Sequence, residues 1–194
     1  MGETAGDLKS AQSILGAAAF AAERHAGQRR KGAAAEPYIN HLLEVANLVS
    51  QALSGPDTNL LVAALLHDVV EDAGVTNREL AEQFGEDVAS LVAEVTDDKS
   101  LPKAERKRLQ VVNAPHKSVR AQMIKLADKI SNVRSILDSP PADWKVERRR
   151  EYLAWAKQVV AALSAPNATL KAQFEELTAG LVNRLTSAPF VPFG

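Results

Sequence analysis

Apolar residues recur every three or four positions along most of this 194-residue chain, which is the spacing of one face of an α-helix. No segment alternates apolar and polar residues between turn signals, so the pattern predicts no β-sheet. We therefore predict an all-α helical bundle, with helices over Ile14–Ala26, His41–Leu53, Asn59–Glu71, Asp87–Val95, Ser118–Leu137, Arg148–Leu163 and Thr169–Leu185.

Short sequence signals mark where helices begin and end. Residues Thr76–Glu79 fit a capping box, in which the threonine hydroxyl and the glutamate carboxylate satisfy free backbone amides at a helix start. Gly85 is placed to end the helix that begins there. The segments Gly32–Glu36 and Ser54–Asp57 are predicted to be loops.

These breaks are too short to be linkers between domains. A chain of this length, with 46% apolar residues, is the usual size of one folded unit. The sequence therefore predicts a single domain over residues 1–194, with its core over about residues 8–185. Residues 187–194 form a C-terminal tail, which is expected to pack on its own domain or to be disordered.

Composition excludes several classes of protein. The chain has no cysteine, which rules out disulfide frameworks, thiolate metal sites and cysteine nucleophiles. Its net charge of −1 is unlike that of a protein that coats nucleic acid. The longest apolar stretches, Ile14–Ala22 and Leu60–Leu66, are far shorter than the ~18 residues of a membrane-spanning helix. We expect a cytoplasmic protein with neither nucleic-acid nor membrane partners.

One segment concentrates polar residues that are able to do chemistry. At 100° per residue, a continuous helix would place His67, Asp68, Glu71 and Asp72 within one arc of about 140°. The opposite arc is apolar and would face the core; it contains Leu65, Leu66, Val69 and Val70. An ordinary solvated helix face is the alternative interpretation, because like charges on an exposed helix cost only about 0.2–0.5 kcal/mol per pair.

Further polar residues elsewhere in the chain favour a metal site. His41 stands at the start of a predicted helix, and Asp128 lies four residues before Asn132 on another. Together with His67 and Asp68 they would supply two imidazoles and two carboxylates, a mixed nitrogen and oxygen set suited to a divalent ion. Such a set also accepts iron, cobalt or zinc. His25 and His116 are not expected to be ligands.

This ordered set of residues resembles the HD superfamily, whose signature is a distant histidine, an adjacent His-Asp pair and a later aspartate. More narrowly, the chain is similar to the hydrolase domain of the RelA/SpoT homologues, and above all to the small stand-alone alarmone hydrolases. The stretches that carry the resemblance are Gln28–Lys31, Pro37–His41, Ala63–Asp72, Phe84-Gly85, Val95–Leu101, Lys103–Gln110, Lys125–Lys129 with Asn132, and Glu151-Tyr152.

The resemblance implies a role for each matching residue. It implies that Mn²⁺ is held by His41, His67, Asp68 and Asp128. Glu71 and Asp72 would position and deprotonate the attacking water. Arg30 and Lys31 would contact the substrate base, and Asn132 would contact the nucleoside. The phosphates would be contacted by Lys103, Arg148 and Tyr152.

The reaction implied is hydrolysis of the 3′-pyrophosphate of ppGpp or pppGpp to GDP or GTP and pyrophosphate, which ends the stringent-response signal. One alternative is the same fold acting on another nucleotide, such as removal of the 2′-phosphate of NADPH. Another is a catalytically silent protein that binds nucleotides. The oligomeric state is left open.

Three short basic runs could steer a polyanionic substrate to the site: Arg29–Lys31, Lys103–Arg108 and Arg148–Arg150. Four residues of these runs are expected to lie on the solvated surface of a helix: Arg106, Lys107, Arg149 and Arg150.

The sequence departs from the usual family pattern at two places near the proposed ligands. Leu42 follows His41 where the family usually has proline. Ile130-Ser131 stands where leucine followed by tyrosine or histidine is usual. Neither departure alters a proposed ligand.

Overall fold

The computed structural model describes residues 5–186, with side chains described up to Gly180 and at Val182. Within these residues the chain forms helices joined by short loops, and the one β-type pairing is a bridge between Arg29 and Pro37. The prediction of an all-α bundle is confirmed. The helices are α1 (Ala5–Arg24), α2 (Ile39–Ala52), α3 (Thr58–Leu66), α4 (Val69–Ala73), α5 (Asn77–Phe84), α6 (Glu86–Val95), α7 (Lys103–Asn113), α8 (Val119–Asp138), α9 (Val146–Ala162) and α10 (Ala168–Thr186), with a 3-10 turn at Ala114–His116.

Two helices, α3 and α8, lie at the centre of the bundle. The first packs against α1, α2 and α6, and the second packs against α2, α6, α9 and α10. Six of the nine residues of α3 are buried, and so are thirteen of the twenty residues of α8. Burying a charged group is costly unless it is paired. The charged residues Lys125, Asp128 and Lys129 of α8 are buried nonetheless, which makes this part of α8 a candidate functional region.

The local signals in the sequence predict several boundaries correctly. The amide of Glu79 donates to the Thr76 hydroxyl, and the amide of Thr76 donates to the Glu79 carboxylate, so the predicted capping box starts α5. Gly85 ends that helix at a φ of 90°, a conformation that favours glycine. The two predicted loops, Gly32–Glu36 and Ser54–Asp57, are confirmed.

Two helices differ from the prediction. The helix α1 begins at Ala5, nine residues before the predicted start at Ile14. Apolar periodicity gave no bounds for the helix α7, because none of its eleven residues is fully buried and its periodicity is correspondingly weak. It packs mainly against α9 and the 3-10 turn that follows it.

The prediction of one continuous helix over Asn59–Glu71 is wrong. The chain leaves the helix after Leu66 and resumes it at Val69, so His67 and Asp68 lie at a break between α3 and α4. In an uninterrupted helix the carbonyl of Ala64 would accept from the amide four residues later. Here that carbonyl accepts a hydrogen bond of 2.8 Å from Nδ1 of His67. The side chain therefore satisfies a backbone group at the helix end, and Asp68 adopts a φ of −106° and a ψ of −3°.

The connection between α1 and α2 is held against the C-terminal end of α8. The Arg30 amide donates to the Glu36 carbonyl at 2.9 Å, and the Ala34 amide donates to Oγ of Ser139 at 2.9 Å. A Cβ atom on Gly32 would overlap the backbone carbonyl oxygen of Ser139 and lie 2.7 Å from its hydroxyl oxygen. Glycine is therefore needed for this close approach, which fixes the loop that carries Arg30.

We expect Gly32→Ala to lower the free energy of unfolding by about 1–3 kcal/mol, the usual cost of forcing an extra methyl into a packed contact. Urea denaturation monitored by circular dichroism measures this change. Gly27→Ala is the matched control, because no atom lies within 4 Å of the Cβ position there. Equal stabilities of the two variants would show that the loop does not depend on this contact.

The predicted C-terminal tail, residues 187–194, lies outside the described residues. Among the helices that the structure describes, none combines the length and the apolar composition needed to cross a lipid bilayer.

Candidate metal centre and active site

Four predicted ligands from three distant segments come together at the centre of the bundle. His41 lies in the first turn of α2, His67 and Asp68 lie at the break between α3 and α4, and Asp128 lies in the middle of α8. Nε2 of His41 is 3.6 Å from Oδ2 of Asp68 and 3.4 Å from Oδ1 of Asp128. Nε2 of His67 is 3.2 Å from Oδ2 of Asp68. Donor atoms of His41, His67 and Asp128 all lie within 4.8 Å of one another.

The His67 ring leaves one nitrogen free to bind a ligand. Its Nδ1 faces the Ala64 carbonyl at 2.8 Å, and because a carbonyl only accepts, this nitrogen carries the hydrogen. Nε2 is buried and forms no hydrogen bond, although Asp68 is close to it. A buried nitrogen without a partner, facing two carboxylates, is the environment that a divalent cation would satisfy.

The charges of the side chains around this centre also favour the binding of a cation. Burial by itself would raise the pKa of Asp68 and Asp128. The nearby histidines nevertheless hold the pKa of Asp68 well below its usual range, and Lys129 together with the histidines does the same for Asp128. Burial lowers the pKa of His67, but the two carboxylates outweigh it and raise that pKa to about 9. Without a metal ion a proton on His67 therefore balances the charge, and a divalent ion would displace that proton.

Neighbouring residues fix the orientation of the two carboxylates. The Tyr38 hydroxyl donates to Oδ2 of Asp68 at 2.6 Å. Nζ of Lys129 donates to Oδ2 of Asp128 at 2.8 Å, and Nδ2 of Asn132 donates to Oδ1 of Asp128 at 2.5 Å. Burial and the charge of Asp68 raise the pKa of Tyr38, so its hydroxyl keeps its proton and remains a donor. Such supporting hydrogen bonds are typical of metal sites.

Glu71 and Asp72 lie beside the candidate ligands but in different environments. Glu71 accepts from the Asp97 amide at 3.3 Å, and its Oε1 is 3.5 Å from Nη1 of Arg106. Burial raises the pKa of Glu71, and the charges of Asp97 and Asp68 raise it further. A carboxylate with a raised pKa is a better proton acceptor near neutral pH.

Asp72 is instead held by hydrogen-bond donors from two loops. Lys99, in the segment between α6 and α7, forms an ion pair with Oδ1 of Asp72. Nε2 of Gln28, in the connection between α1 and α2, donates to Oδ2 at 3.3 Å. The Asp72 carboxylate is therefore fixed in direction by groups on both sides of it.

A cavity of about 800 Å³ opens onto these carboxylates, which is within the size range of small-molecule binding sites. All six residues predicted to contact substrate line it: Arg30, Lys31, Lys103, Asn132, Arg148 and Tyr152. Arg106 and Lys107 also line it and are only partly exposed, so the expectation that they lie on a solvated helix surface is wrong for both. They reach the cavity because α7 packs against α9.

The expectation of a solvated helix surface has different outcomes for Arg149 and Arg150. Arg150 is exposed, as predicted. Arg149 is partly buried, and its Nε donates to the Trp144 carbonyl at 3.0 Å. This bond ties the start of α9 to the loop before it, so Arg149 is wrongly placed on the solvated surface as well.

The cavity has an excess of positive charge. Over the residues that the structure describes, nine lysine and arginine side chains line it against five carboxylates. Partial burial, together with Arg148, Lys31 and Arg106, lowers the pKa of Lys103. Burial, followed by Lys103 and Arg148, lowers the pKa of Lys107. Cations that crowd one another in this way favour a polyanionic ligand.

Aromatic faces position several of these cations without neutralising them. The Arg148 guanidinium lies 4.7 Å from the ring centre of Trp144, and the Lys107 ammonium lies 4.7 Å from that of Trp155. Lys129 lies at 4.7 Å from Trp155 as well. The sequence interpretation missed Tyr38, Lys129 and the two tryptophans.

The Arg30 side chain lies near the metal centre and is only 9% exposed. Its Nη1 donates to Oγ of Ser131 at 3.0 Å, and its Nη2 donates to Oδ1 of Asn132 at 3.1 Å. Both partners belong to α8 and lie three and four residues after Asp128, about one helical turn away. Arg30 is therefore anchored beside the candidate metal ligands.

The two remaining histidines lie apart from the four candidate ligands. His25 directly follows α1, is buried, and its Nδ1 lies 2.5 Å from Oε1 of Gln28. His116 lies in the 3-10 turn after α7. Neither belongs to the group of candidate metal-binding side chains among the described residues.

Comparison with known proteins identifies the family. A family model described as "HD domain" matches residues 17–165. The guanosine-3′,5′-bis(diphosphate) 3′-pyrophosphohydrolase MESH1 of Xenopus tropicalis is 49% identical over 164 residues, which cover 84% of this chain and 92% of that protein. The MESH1 protein of Homo sapiens is 47% identical over 167 residues, which cover 86% of this chain and 93% of that protein.

A solved structure shows the same architecture. It is described as a metazoan ortholog of SpoT that hydrolyses ppGpp and plays a role in starvation responses. The two structures superpose with a TM-score of 0.84 at 42% sequence identity, over 93% of this chain and 98% of the other. With its His41, His67-Asp68 and Asp128 gathered in one helical bundle, this chain belongs to the HD-domain family and, within it, to the group of the MESH1 pyrophosphohydrolases.

Proposed function

We propose that this protein hydrolyses the 3′-pyrophosphate of ppGpp and pppGpp, giving GDP or GTP and pyrophosphate, with Mn²⁺ as its metal ion. The observation that supports this most strongly is one cavity lined by Glu71, Asp72 and an excess of cations, together with Asp68 and Asp128, which contact the buried His41 and His67. The names and activities of the similar proteins point to the same substrate.

The proposed metal residues are His41, His67, Asp68 and Asp128. Their mixed nitrogen and oxygen donor set suits a first-row divalent ion such as Mn²⁺. Such an ion would lower the pKa of water toward neutrality and offset the negative charge of the phosphates.

We assign proton acceptance to Glu71 and orientation of the attacking water to Asp72. Burial and neighbouring carboxylates make Glu71 the more basic group, whereas Lys99 and Gln28 hold Asp72 in one direction. The water oxygen bonds to the phosphorus attached to the ribose 3′ oxygen, and the bond between that phosphorus and that oxygen breaks. Glu71 takes one proton of the water, and the same number of protons is returned when the leaving 3′ oxygen is protonated, so the Glu71 carboxylate is regenerated.

The remaining residues of the cavity bind the substrate in this proposal. The phosphates are contacted by Lys103, Arg148 and Tyr152. Asn132 contacts the nucleoside, and Arg30 and Lys31 contact the base. Burial raises the pKa of Tyr152 to about 12, so its hydroxyl donates as a neutral group. The planar guanidinium of Arg30 is suited to a purine, on which an ammonium group cannot stack.

The function is tested by comparing ppGpp and NADPH at equal concentration with Mn²⁺-loaded protein. We expect ppGpp to yield GDP and pyrophosphate in equal amounts, measured by ion-exchange chromatography, and no turnover after chelation. Turnover of NADPH with negligible release of pyrophosphate from ppGpp would show that NADPH, and not ppGpp, is the substrate. Binding of ppGpp without product from either nucleotide would show a catalytically silent protein.

Arg30→Ala is expected to weaken substrate binding much more than it slows the chemical step. The change removes the proposed contact to the base, which is present in the bound substrate and in the transition state alike, so KM rises while kcat changes little. Steady-state kinetics with ppGpp measure both constants. Arg78→Ala is the control, because Arg78 is exposed and pairs with Glu82 on α5. A fall in kcat with an unchanged KM would contradict the assigned contact.

A further inference from the structure

The two histidines of the metal centre are oriented in different ways. Nδ1 of His67 faces a backbone carbonyl, which fixes the position of its hydrogen. Nδ1 of His41 faces instead Oγ of Ser131 at 2.8 Å, and a hydroxyl is able either to donate or to accept. Which nitrogen of His41 is free to bind a metal therefore depends on whether the Ser131 hydroxyl donates its proton to Nδ1 or accepts a hydrogen bond from it.

Glu44 settles the direction of that proton. Its Oε2 lies 2.5 Å from Oγ of Ser131, and an ionised carboxylate only accepts hydrogen bonds. Glu44 is also paired with Arg134, and Nη1 of Arg30 is 3.9 Å from its Oε2, so the carboxylate faces two guanidinium groups. The Ser131 proton therefore points to Glu44.

The two lone pairs of the Ser131 oxygen remain, and two donors face them. One is Nη1 of Arg30 at 3.0 Å, and the other is Nδ1 of His41 at 2.8 Å. Because the hydroxyl accepts from His41, Nδ1 of that ring carries the hydrogen. Nε2 then presents its lone pair to Asp68 and Asp128, at 3.6 and 3.4 Å. Ser131 is fully buried, so water does not compete for these bonds.

We propose that Ser131, held by Glu44, is the positioning residue that fixes the metal-binding tautomer of His41 and ties Arg30 to the metal centre. The proposal rests on the assignment of His41 as a metal ligand, but it does not require ppGpp to be the substrate.

The tautomer is measured directly in the metal-free wild-type protein, at a pH high enough that the His41 ring is neutral. Long-range ¹H–¹⁵N spectra distinguish the two nitrogens of a neutral imidazole, and we expect hydrogen on Nδ1 of His41. Hydrogen on Nε2 would overturn the proposal. This readout uses neither metal nor nucleotide, so it stands whether or not ppGpp is hydrolysed.

The second measurement is the affinity for Mn²⁺, determined by competition with a fluorescent chelator. Ser131→Ala is expected to bind Mn²⁺ about 10–100-fold more weakly, the usual loss when a supporting hydrogen bond to a metal-bound histidine is removed. Ser50→Ala is the control on the same helix as His41, because Ser50 is exposed and its hydroxyl donates only to the Asn47 carbonyl among the described contacts.

A pair of larger variants separates the hydroxyl from packing. Ser131→Thr and Ser131→Val add the same methyl bulk to a buried position and differ by one hydroxyl group. We expect the threonine variant to bind Mn²⁺ at least about 10-fold more tightly than the valine variant. Equal affinities of these two variants, or wild-type affinity of Ser131→Ala, would show that the Ser131 hydroxyl does not position His41.

Discussion

Asp128→Ala is expected to abolish binding of the divalent ion and to lower the rate of ppGpp hydrolysis by about 10³-fold or more, because the activated water depends on the ion. The change removes one of the two negative ligands, leaving Asp68 alone to balance the charge of the ion. It also leaves Lys129 buried without its ion pair at 2.8 Å. Breaking a buried pair in this way typically destabilises a protein by about 3–5 kcal/mol.

A conservative variant separates loss of the metal from loss of stability. Asp128→Asn keeps the size of the side chain and one acceptor oxygen, removes the negative charge, and replaces the second oxygen with an NH2 group. Elemental analysis after gel filtration is expected to show far less metal than in the wild-type protein, because the site has lost one of its two negative ligands. Asp138→Asn, at the exposed end of the same helix, should retain a full site. Unchanged metal content in Asp128→Asn would remove Asp128 from the ligand set.

Glu71→Gln is expected to slow turnover by about 10²–10⁴-fold while metal content stays at the wild-type level, which is the usual size of a lost acid–base contribution. Glutamine preserves the shape of the side chain and its ability to accept from the Asp97 amide. It is unable to take a proton from water. The rate of a single turnover at saturating ppGpp measures the chemical step.

The pH dependence of the Glu71 variant supplies a second signature. A base must be deprotonated to act, so the wild-type rate is expected to rise with pH through the pKa of Glu71. Burial and two nearby carboxylates place that rise above the ordinary value of 4.5. Glu71→Gln should lose this limb, whereas Glu82→Gln, exposed on α5, should retain it. A near-normal rate in Glu71→Gln would show that another group accepts the proton.

Helix periodicity was sufficient to predict the architecture but not the break that shapes the site. Helical periodicity predicts that His67 and Asp68 lie on one continuous helix, whereas in the structure the helix is interrupted at both residues. The interruption arises because an imidazole takes the place of a backbone donor at the Ala64 carbonyl. Apolar periodicity predicts where a regular helix forms. It does not predict a break caused by a side chain that takes the place of a backbone hydrogen-bond donor.

The residues that support the site were predictable only in part. Arg148, Tyr152 and Trp155 follow one another at spacings of four and three, which places them on one face of α9, so Trp155 could have been found from its spacing. The contact of Glu44 with Ser131 joins α2 to α8 across 87 positions of sequence. No local pattern encodes such a pairing, because it depends on how the two helices pack.

The roles of the basic residues depended equally on packing. Arg106 and Lys107 occupy a helix without fully buried residues, a pattern typical of a solvated surface. Both nevertheless face the cavity, since the partner of α7 is α9 with its aromatic side chains Tyr152 and Trp155. Charge runs in a sequence thus locate positive potential along the chain, and the tertiary contacts decide which charges converge.

The most direct test of the metal centre is an anomalous difference map from crystals of the wild-type protein grown with Mn²⁺. We expect one dominant peak, within about 2.5 Å of Nε2 of His41, Nε2 of His67 and a carboxylate oxygen of both Asp68 and Asp128, the range of metal–ligand bonds in proteins. A dominant peak elsewhere, or one that omits His41 or Asp128, would contradict a shared cation at the centre of this bundle.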